Sequence, residues 1–360
     1  MNRPTDTLAP CASIATPAST DAAPVAPLLS VRGLSIRFAT ARGAVHAVSD
    51  VDLDLQAGRT LAIVGESGSG KSVLSRSLLR LLPEATSTQQ GTISFQGQDL
   101  LALDESHLRA IRGRDIAMIF QDPMSSLNPV LTIERQIGEV LTQHLGLARH
   151  ARRARVVELL QSVGIAAPEQ RLCEYPHQMS GGMRQRIMIA MALACGPKLL
   201  IADEPTTALD VTIQMQILVL LKRQQRERGM AMIFISHDLA AVSGIADDVA
   251  VMYGGRIVEQ APVQEFFSAR RMPYSEALLR ARPSIEAAFG SQLYSIGGRP
   301  PDLSALPAGC AFAPRCNRAQ GECLQQRPPV TALGARRYVC WYPLVAPNLA
   351  GPVVLHGDQP

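Results

Sequence analysis

The chain has 360 residues, of which 47% are hydrophobic and 18% charged, with a formal net charge of +4. That length exceeds what a single core usually organises, so one larger domain with appendages is expected. The small charge excess, with no basic block, argues against nucleic-acid binding, and no apolar run is long enough to cross a bilayer.

Met1-Asn2-Arg3-Pro4 runs into Ala, Pro, Thr and Asp without an apolar h-region. It does not read as a secretory signal, and residues 1–27 read as a disordered leader. Residues 28–38 alternate, with a register change near Gly33 that predicts a bulge. Val51, Leu53 and Leu55 alternate with Asp50, Asp52 and Asp54, and Ile93 and Phe95 continue the pattern before Gly97. These are strands of antiparallel type. A second set, 61–64, 116–120, 199–202, 232–235 and 249–252, consists of short continuous apolar runs. Such runs are expected of strands buried on both faces of an α/β sheet. Ile137, Val140, Leu141, Val156, Leu159, Leu160 and Val163 follow a helical pattern, placing a helical subdomain at about 129–180. Past Glu259 the chain becomes rich in Pro and Arg and carries four cysteines. It reads as an extension over 261–345, followed by a loose tail at 346–360. No internal repeat is visible.

Gly65-Glu66-Ser67-Gly68-Ser69-Gly70-Lys71-Ser72 follows the first buried run and opens a helical pattern that continues to Leu82. GxxxxGK[ST] between a strand and a helix is a phosphate-binding P-loop. Its glycines let backbone N–H groups turn inward, Lys71 reaches the β- and γ-phosphates, and the Ser72 hydroxyl holds Mg²⁺. A plain Gly/Ser turn is the bland alternative, and the full motif in this context argues against it. The run 199–202 ends in Asp203-Glu204. At the carboxyl end of a parallel strand, Asp203 is placed to support Mg²⁺ and Glu204 to orient or deprotonate a water. Ser180-Gly181-Gly182 precedes the apolar run 187–194 and builds a second helix N-terminus suited to phosphate, or merely a cap.

With these residues in place, the chain clearly resembles the ATP-binding-cassette family, whose signature is usually Leu-Ser-Gly-Gly-Gln. Here Met179 and Met183 stand for the Leu and the final Gln, and the Ser and both glycines remain. The resemblance covers about 28–259. It implies an α/β P-loop NTPase core of ABC type, with an antiparallel β subdomain, a helical subdomain and a small cysteine-containing C-terminal extension. It also implies that Phe38 stacks on adenine and that Gln121 is a Q-loop residue sensing Mg²⁺ and the transport subunit. Asp210, in Ala208-Leu209-Asp210, becomes the D-loop aspartate, and His237 the switch histidine at the γ-phosphate. Phe38 as a core residue and Asp210 as a helix N-cap are the structural alternatives.

Phe120-Gln121-Asp122-Pro123-Met124-Ser125-Ser126-Leu127-Asn128-Pro129 and Tyr175-Pro176-His177-Gln178-Met179 look like the ATPases of oligopeptide/dipeptide importers. So do Ile296-Gly297-Gly298-Arg299-Pro300-Pro301-Asp302 and Pro307-Ala308-Gly309-Cys310-Ala311-Phe312-Ala313-Pro314-Arg315-Cys316. The implied function is ATP hydrolysis powering peptide import across the cytoplasmic membrane. The implied partners are two transmembrane permease subunits, a second cassette ATPase and an external substrate-binding protein. The implied location is the cytoplasmic face of the inner membrane, bound peripherally. Nickel, glutathione and antimicrobial-peptide systems share these motifs. A soluble, non-transport cassette ATPase, a P-loop kinase and a non-hydrolysing regulatory subunit are the alternatives in other classes.

Of seven cysteines, Cys310, Cys316, Cys323 and Cys340 are separated by five, six and sixteen residues. No pair has the close spacing usual for structural zinc. Four thiolates can ligate an iron–sulfur cluster, and the resemblance favours a [4Fe–4S] cluster there over zinc or unligated thiols. Cys11, Cys173 and Cys195 read as plain residues.

Overall fold

The computed structural model describes residues 26–41, 43–122, 126–207, 209–281 and 294–344. The expected leader and tail, Cys11, Pro123-Met124-Ser125 and Ala208 fall mostly or wholly outside them.

The antiparallel set forms one sheet from β1 (Leu29–Thr40), β2 (Gly43–Leu55), β4 (Ser87–Phe95) and the short β5 (Gln98–Asp99), in the order β2-β1-β4-β5. The register breaks between Val31 and Leu34 against β2, and between Arg32 and Ser35 against β4. This is the bulge expected at Gly33, which takes φ of 57° and donates its N–H to Asp52 Oδ1 at 2.7 Å. β2 begins earlier than its alternating aspartates predict. Asp50 adopts φ of 54° and offsets the register, so the period-2 pattern is legible only after it.

Among the described residues the second sheet has eight strands in the order β11-β12-β10-β9-β3-β8-β7-β6, where β10 is Arg256–Pro262, β11 Thr331–Leu333 and β12 Arg336–Tyr338. Its parallel part holds β9 (Asp248–Tyr253), β3 (Thr60–Val64), β8 (Ala231–Ser236), β7 (Leu199–Asp203) and β6 (Ile116–Ile119). These are the five runs expected to be buried on both faces. Leu61 and Ile63, Leu199 and Ile201, and Ile233 and Ile235 face the core shared with the antiparallel sheet. Their neighbours Ala62, Val64, Leu200, Ala202, Met232 and Phe234 face the opposite core, under the helices. Each fully buried Leu or Ile contributes about 1.5–3 kcal/mol, so both layers are strongly bound to this sheet.

The P-loop helix α1 covers Lys71–Ser77, shorter than the pattern reaching Leu82 predicts. Arg80 turns left-handed, with φ of 49°, and breaks the helical repeat ahead of Pro83. α2 (Glu105–Ile111) leads into β6. The helical stretch then comprises α3 (Ile133–Leu145), α4 (Arg149–Ser162), the short α5 (Pro168–Arg171) and α6 (Gly181–Ala192). Thr132 caps α3 by accepting the Arg135 N–H, and Gly146 ends it in the left-handed region. α7 (Val211–Arg228) packs against α8 (Leu239–Ile245), which in turn packs beside β8. No helix among the described residues is long and apolar enough to cross a membrane.

The C-terminal region returns onto the main sheet. β10 (Arg256–Pro262) pairs antiparallel with β9; α9 (Val263–Ala269) and α10 (Pro273–Arg280) follow. After α11 (Gly321–Gln325), the hairpin β11 (Thr331–Leu333) and β12 (Arg336–Tyr338) joins β10 and so extends the main sheet. Strands of three residues are too short to be read from periodicity.

Candidate active site

Four neighbouring parallel strands, β3, β8, β7 and β6, deliver the P-loop, His237, Asp203-Glu204 and Gln121 to one edge of the sheet. Ligands of open α/β sheets gather at this carboxyl edge. Between β3 and α1 the loop passes close to other backbone. Gly70 has φ of 105°, and a Cβ there would lie 2.4 Å from the Ala47 carbonyl oxygen and 2.8 Å from Met252 Cε. Only glycine fits. Lys71 is buried, and its ammonium donates to the carbonyls of Gly65 at 2.8 Å and Glu66 at 2.9 Å. Burial lowers its pKa, opposed by the carboxylates of Glu204, Asp203 and Glu66.

Asp203 ends β7 fully buried. Its carboxylate accepts from Ser72 Oγ at 3.1 Å and from Ser75 Oγ at 3.2 Å. Burial raises its pKa, and the two hydroxyls oppose the rise. The pairing of Ser72 with Asp203 fits a hard cation, which takes oxygen ligands.

Glu204 adopts φ of 48°, the left-handed region that non-glycine residues seldom occupy. Its N–H donates to the Ile235 carbonyl of β8 at 3.0 Å, which holds it there. Such local strain concentrates at functional sites. Three groups converge on Oε2: the Gln121 amide at 3.0 Å, the Thr207 hydroxyl at 3.0 Å and His237 Nδ1 at 3.4 Å. His237 itself remains mostly exposed. An open cleft of about 790 Å³ borders these groups, lined among others by Gly65, Glu66, Thr207 and His237. That volume lies in the range of small-molecule sites.

The remaining predicted residues lie further out. Ser180 is the N-cap of α6, its hydroxyl accepting from the Met183 N–H at 3.3 Å, and Ser180 and Gly181 face solvent. Met183 is half-buried against the helical core, so the residue replacing the usual signature Gln packs inward. A Cβ on Gly182 would lie 2.9 Å from Ile213 Cγ2, which ties this helix end to α7. Asp210 caps α7, accepting from the Ile213 N–H at 2.9 Å. Phe38 is half-buried on β1 against the core shared by the two sheets. Ser67, Gly68 and Ser69 complete the loop; Ser69 is buried, whereas Ser67 and Gly68 are exposed.

Two of the four C-terminal cysteines are joined through the backbone. The Cys310 N–H donates to the Cys323 carbonyl at 2.7 Å. Burial pushes the Cys340 thiol up to about 11, and Cys310, Cys316 and Cys323 add to the shift. Burial likewise raises Cys310 and Cys316. Among the described residues, however, no group of three or more His, Cys, Asp or Glu is arranged to hold a metal ion. The expected iron–sulfur cluster therefore gains no support from a preformed ligand set. Cys173 is exposed and Cys195 half-buried.

Sequence reasoning missed Thr207 and Ser75. A hydroxyl three residues beyond Glu204 in a tight turn, and one a helical turn beyond Lys71, are the local signals that mark them. It also missed the groups around Glu66, whose carboxylate pairs with Arg315 and whose N–H donates to Tyr274 Oη. No local signal marks that contact.

Comparison with known proteins agrees with this geometry. The ABC transporter family profile matches residues 48–207, and that of the oligopeptide/dipeptide transporter C-terminal region matches 258–323. The chain is 50% identical over 313 residues to the oligopeptide transport ATP-binding protein OppD of Bacillus subtilis, covering 87% of both chains. A dimeric structure of the ATP-binding cassette MJ0796 in a post-hydrolysis state, bound to ADP and Pi, matches with a TM-score of 0.59 at 26% identity. That match covers 65% of this chain and 98% of the other. The cassette cbiO1 from Clostridium perfringens, part of the cbiONQ transporter complex, matches with a TM-score of 0.57 at 29% identity, over 68% of this chain and 91% of its own. The chain belongs to the ABC transporter family, as an ATP-binding subunit of its oligopeptide/dipeptide branch.

Proposed function

We propose that this chain powers peptide import by hydrolysing ATP at the edge formed by β3, β8, β7 and β6. The observation carrying the site assignment is the convergence of Gln121, Thr207 and His237 on Glu204, beside the Asp203–Ser72 pair. In this reading the loop 65–70 and Lys71 hold the phosphates. Ser72, Asp203 and Gln121 would hold Mg²⁺, which when bound would neutralise charge on the phosphates. Glu204 orients or deprotonates the attacking water, and His237 contacts the γ-phosphate. Phe38 stacks on adenine. The solvent-facing Ser180-Gly181-Gly182 end reaches the nucleotide of a partner cassette, with Asp210 at that contact.

The energy source and the membrane partner are then separate chains. Two permeases, a second cassette ATPase and an external binding protein complete the proposed complex at the cytoplasmic face of the inner membrane. The domain division is 28–260 for the ATPase, with its helical part at about 129–180, and 261–345 for the extension. Cys310, Cys316, Cys323 and Cys340 would hold a [4Fe–4S] cluster, which would cross-link a segment with little core of its own. The reading rests on the family resemblance of the extension and not on a preformed ligand set. Iron and sulfide analysis of anaerobically purified protein tests it, and stoichiometric absence of both removes the cluster.

Glu204→Gln tests the catalytic assignment. Loss of a positioned base costs about 10²–10⁴-fold in turnover, while ATP binding persists. Unchanged turnover removes Glu204 from the mechanism. Peptide uptake by vesicles holding the whole complex, abolished by the same substitution, tests the transport assignment.

A further inference from the structure

The P-loop carries a carboxylate at Glu66, where a polyanionic ligand is to be bound, and that carboxylate is gripped from the C-terminal extension. Arg315, in the short turn Ala313–Arg315, donates from Nη1 to Glu66 Oε2 at 2.6 Å and from Nη2 to Oε1 at 2.9 Å. The other donors of the guanidinium are also used. Nε reaches the Gly297 carbonyl at 2.9 Å, Nη1 the Tyr253 hydroxyl at 3.2 Å and Nη2 the Ile296 carbonyl at 3.3 Å. Its side chain is only 5% exposed. A part-buried, fork-matched pair with every guanidinium donor occupied is a strong and directional contact.

Glu66 is fixed by its backbone as well. Its N–H donates to Tyr274 Oη at 2.9 Å, and its carbonyl accepts from the Lys71 ammonium at 2.9 Å. Phe312, three residues before Arg315, packs on Tyr253 and Tyr274 with ring centroids 5.3 and 5.2 Å apart. The extension thus reaches the nucleotide loop by two routes, the aromatic cluster and the ion pair.

We propose that Arg315 is a positioning residue for nucleotide binding: by pairing with Glu66 it neutralises the loop's own carboxylate and holds the loop open to phosphate, so that the extension sets the affinity of the site for ATP. This rests on the reading of 65–72 as the phosphate-binding loop. Without the guanidinium, the Glu66 carboxylate is free to repel the phosphates and to draw the Lys71 ammonium away from them. The coupling is reciprocal, so ATP binding in turn tightens the extension.

A double-mutant cycle on the full-length chain tests this, using Arg315→Met and Glu66→Gln, singly and together, with Mg²⁺ and a non-hydrolysable ATP analogue as the probe. Arg315→Met is expected to weaken binding about tenfold, as loss of a charge-assisted bidentate pair does. The double variant is expected to recover most of that loss, because no carboxylate is then left on the loop to repel the phosphates. Arg315→Lys, which keeps the charge and loses the fork, falls in between and guards against misfolding of the Met variant. Unchanged affinity in both Arg315 variants, even with a lowered melting temperature, overturns the proposal, as does strict additivity in the cycle. Lys71→Ala is the control for the underlying reading. Retained binding there overturns the P-loop assignment itself, whereas lost binding in Lys71→Ala with normal binding in Arg315→Met overturns only the coupling.

Discussion

The Gln121 side-chain amide donates to the Glu204 carboxylate at 3.0 Å, although 83 positions separate the two residues. The contact exists because β6 and β7 are parallel neighbours, with Ile119 paired to Ala202, so the residues just past each strand meet at the same edge. A residue at the end of β6 therefore reports directly on the carboxylate assigned to water activation.

Gln121→Ala should lower ATP turnover about tenfold, because a hydrogen bond to a charged group is removed from the carboxylate proposed to be catalytic. Thr207→Val, which removes the second donor while keeping the shape, should cost less, about fivefold. Steady-state ATPase assays on the reconstituted complex check both, and the two losses should fail to add because they act on one oxygen.

The raised pKa of Asp203 has a definite consequence for stability. The folded chain keeps this proton to a higher pH than the unfolded chain does. The contribution of Asp203 thus favours folding below the ordinary carboxylate value and is lost as pH rises through the higher folded value. Asp203→Asn should therefore melt at a higher temperature than the parent chain at about pH 7.5 and lose that advantage at about pH 4.5. The same variant should lose Mg²⁺-dependent ATPase activity, a trade of stability for function. Differential scanning calorimetry at the two pH values checks the first half.

Gly70→Ala should disable the phosphate loop. A Cβ there meets the Ala47 carbonyl at 2.4 Å, and φ of 105° strains any L side chain. We expect a loss of about 2–4 kcal/mol in stability and no measurable nucleotide binding, read by denaturant unfolding and by titration with ATP.

Ser180→Ala should separate binding from turnover. Removing the cap costs about 1 kcal/mol, which the core tolerates. Because Ser180 and Gly181 face solvent, the isolated chain should bind ATP normally. Turnover of the assembled complex should fall about tenfold or more if, as proposed, the hydroxyl acts on a nucleotide held by the other cassette. Impaired ATP binding by the isolated variant would place Ser180 in its own chain's site instead.

Much of the site was legible one segment at a time. The P-loop, Asp203-Glu204 and Ser180-Gly181-Gly182 each lie in fewer than ten consecutive residues, because local chain geometry is what presents a phosphate with N–H groups or ends a strand in a carboxylate. The five buried strands were equally readable, since burial on both faces leaves an unbroken apolar run. Short strands and helix ends were not. α1 stops at Ser77 where the pattern continues, and β11 and β12 have three residues each.

The sequence by itself determined that this chain binds and hydrolyses a nucleotide within a two-sheet α/β core, because those properties follow from contiguous motifs and from hydropathy period. Tertiary structure alone decided which distant groups share an atom: Gln121, Thr207 and His237 on one oxygen of Glu204, and Arg315 on Glu66 across 249 positions. Strand order and the return of the extension onto the main sheet make those contacts. A charged side chain looks the same in a sequence whether solvent or a matching carboxylate lies beyond it, so only the folded chain distinguishes the two.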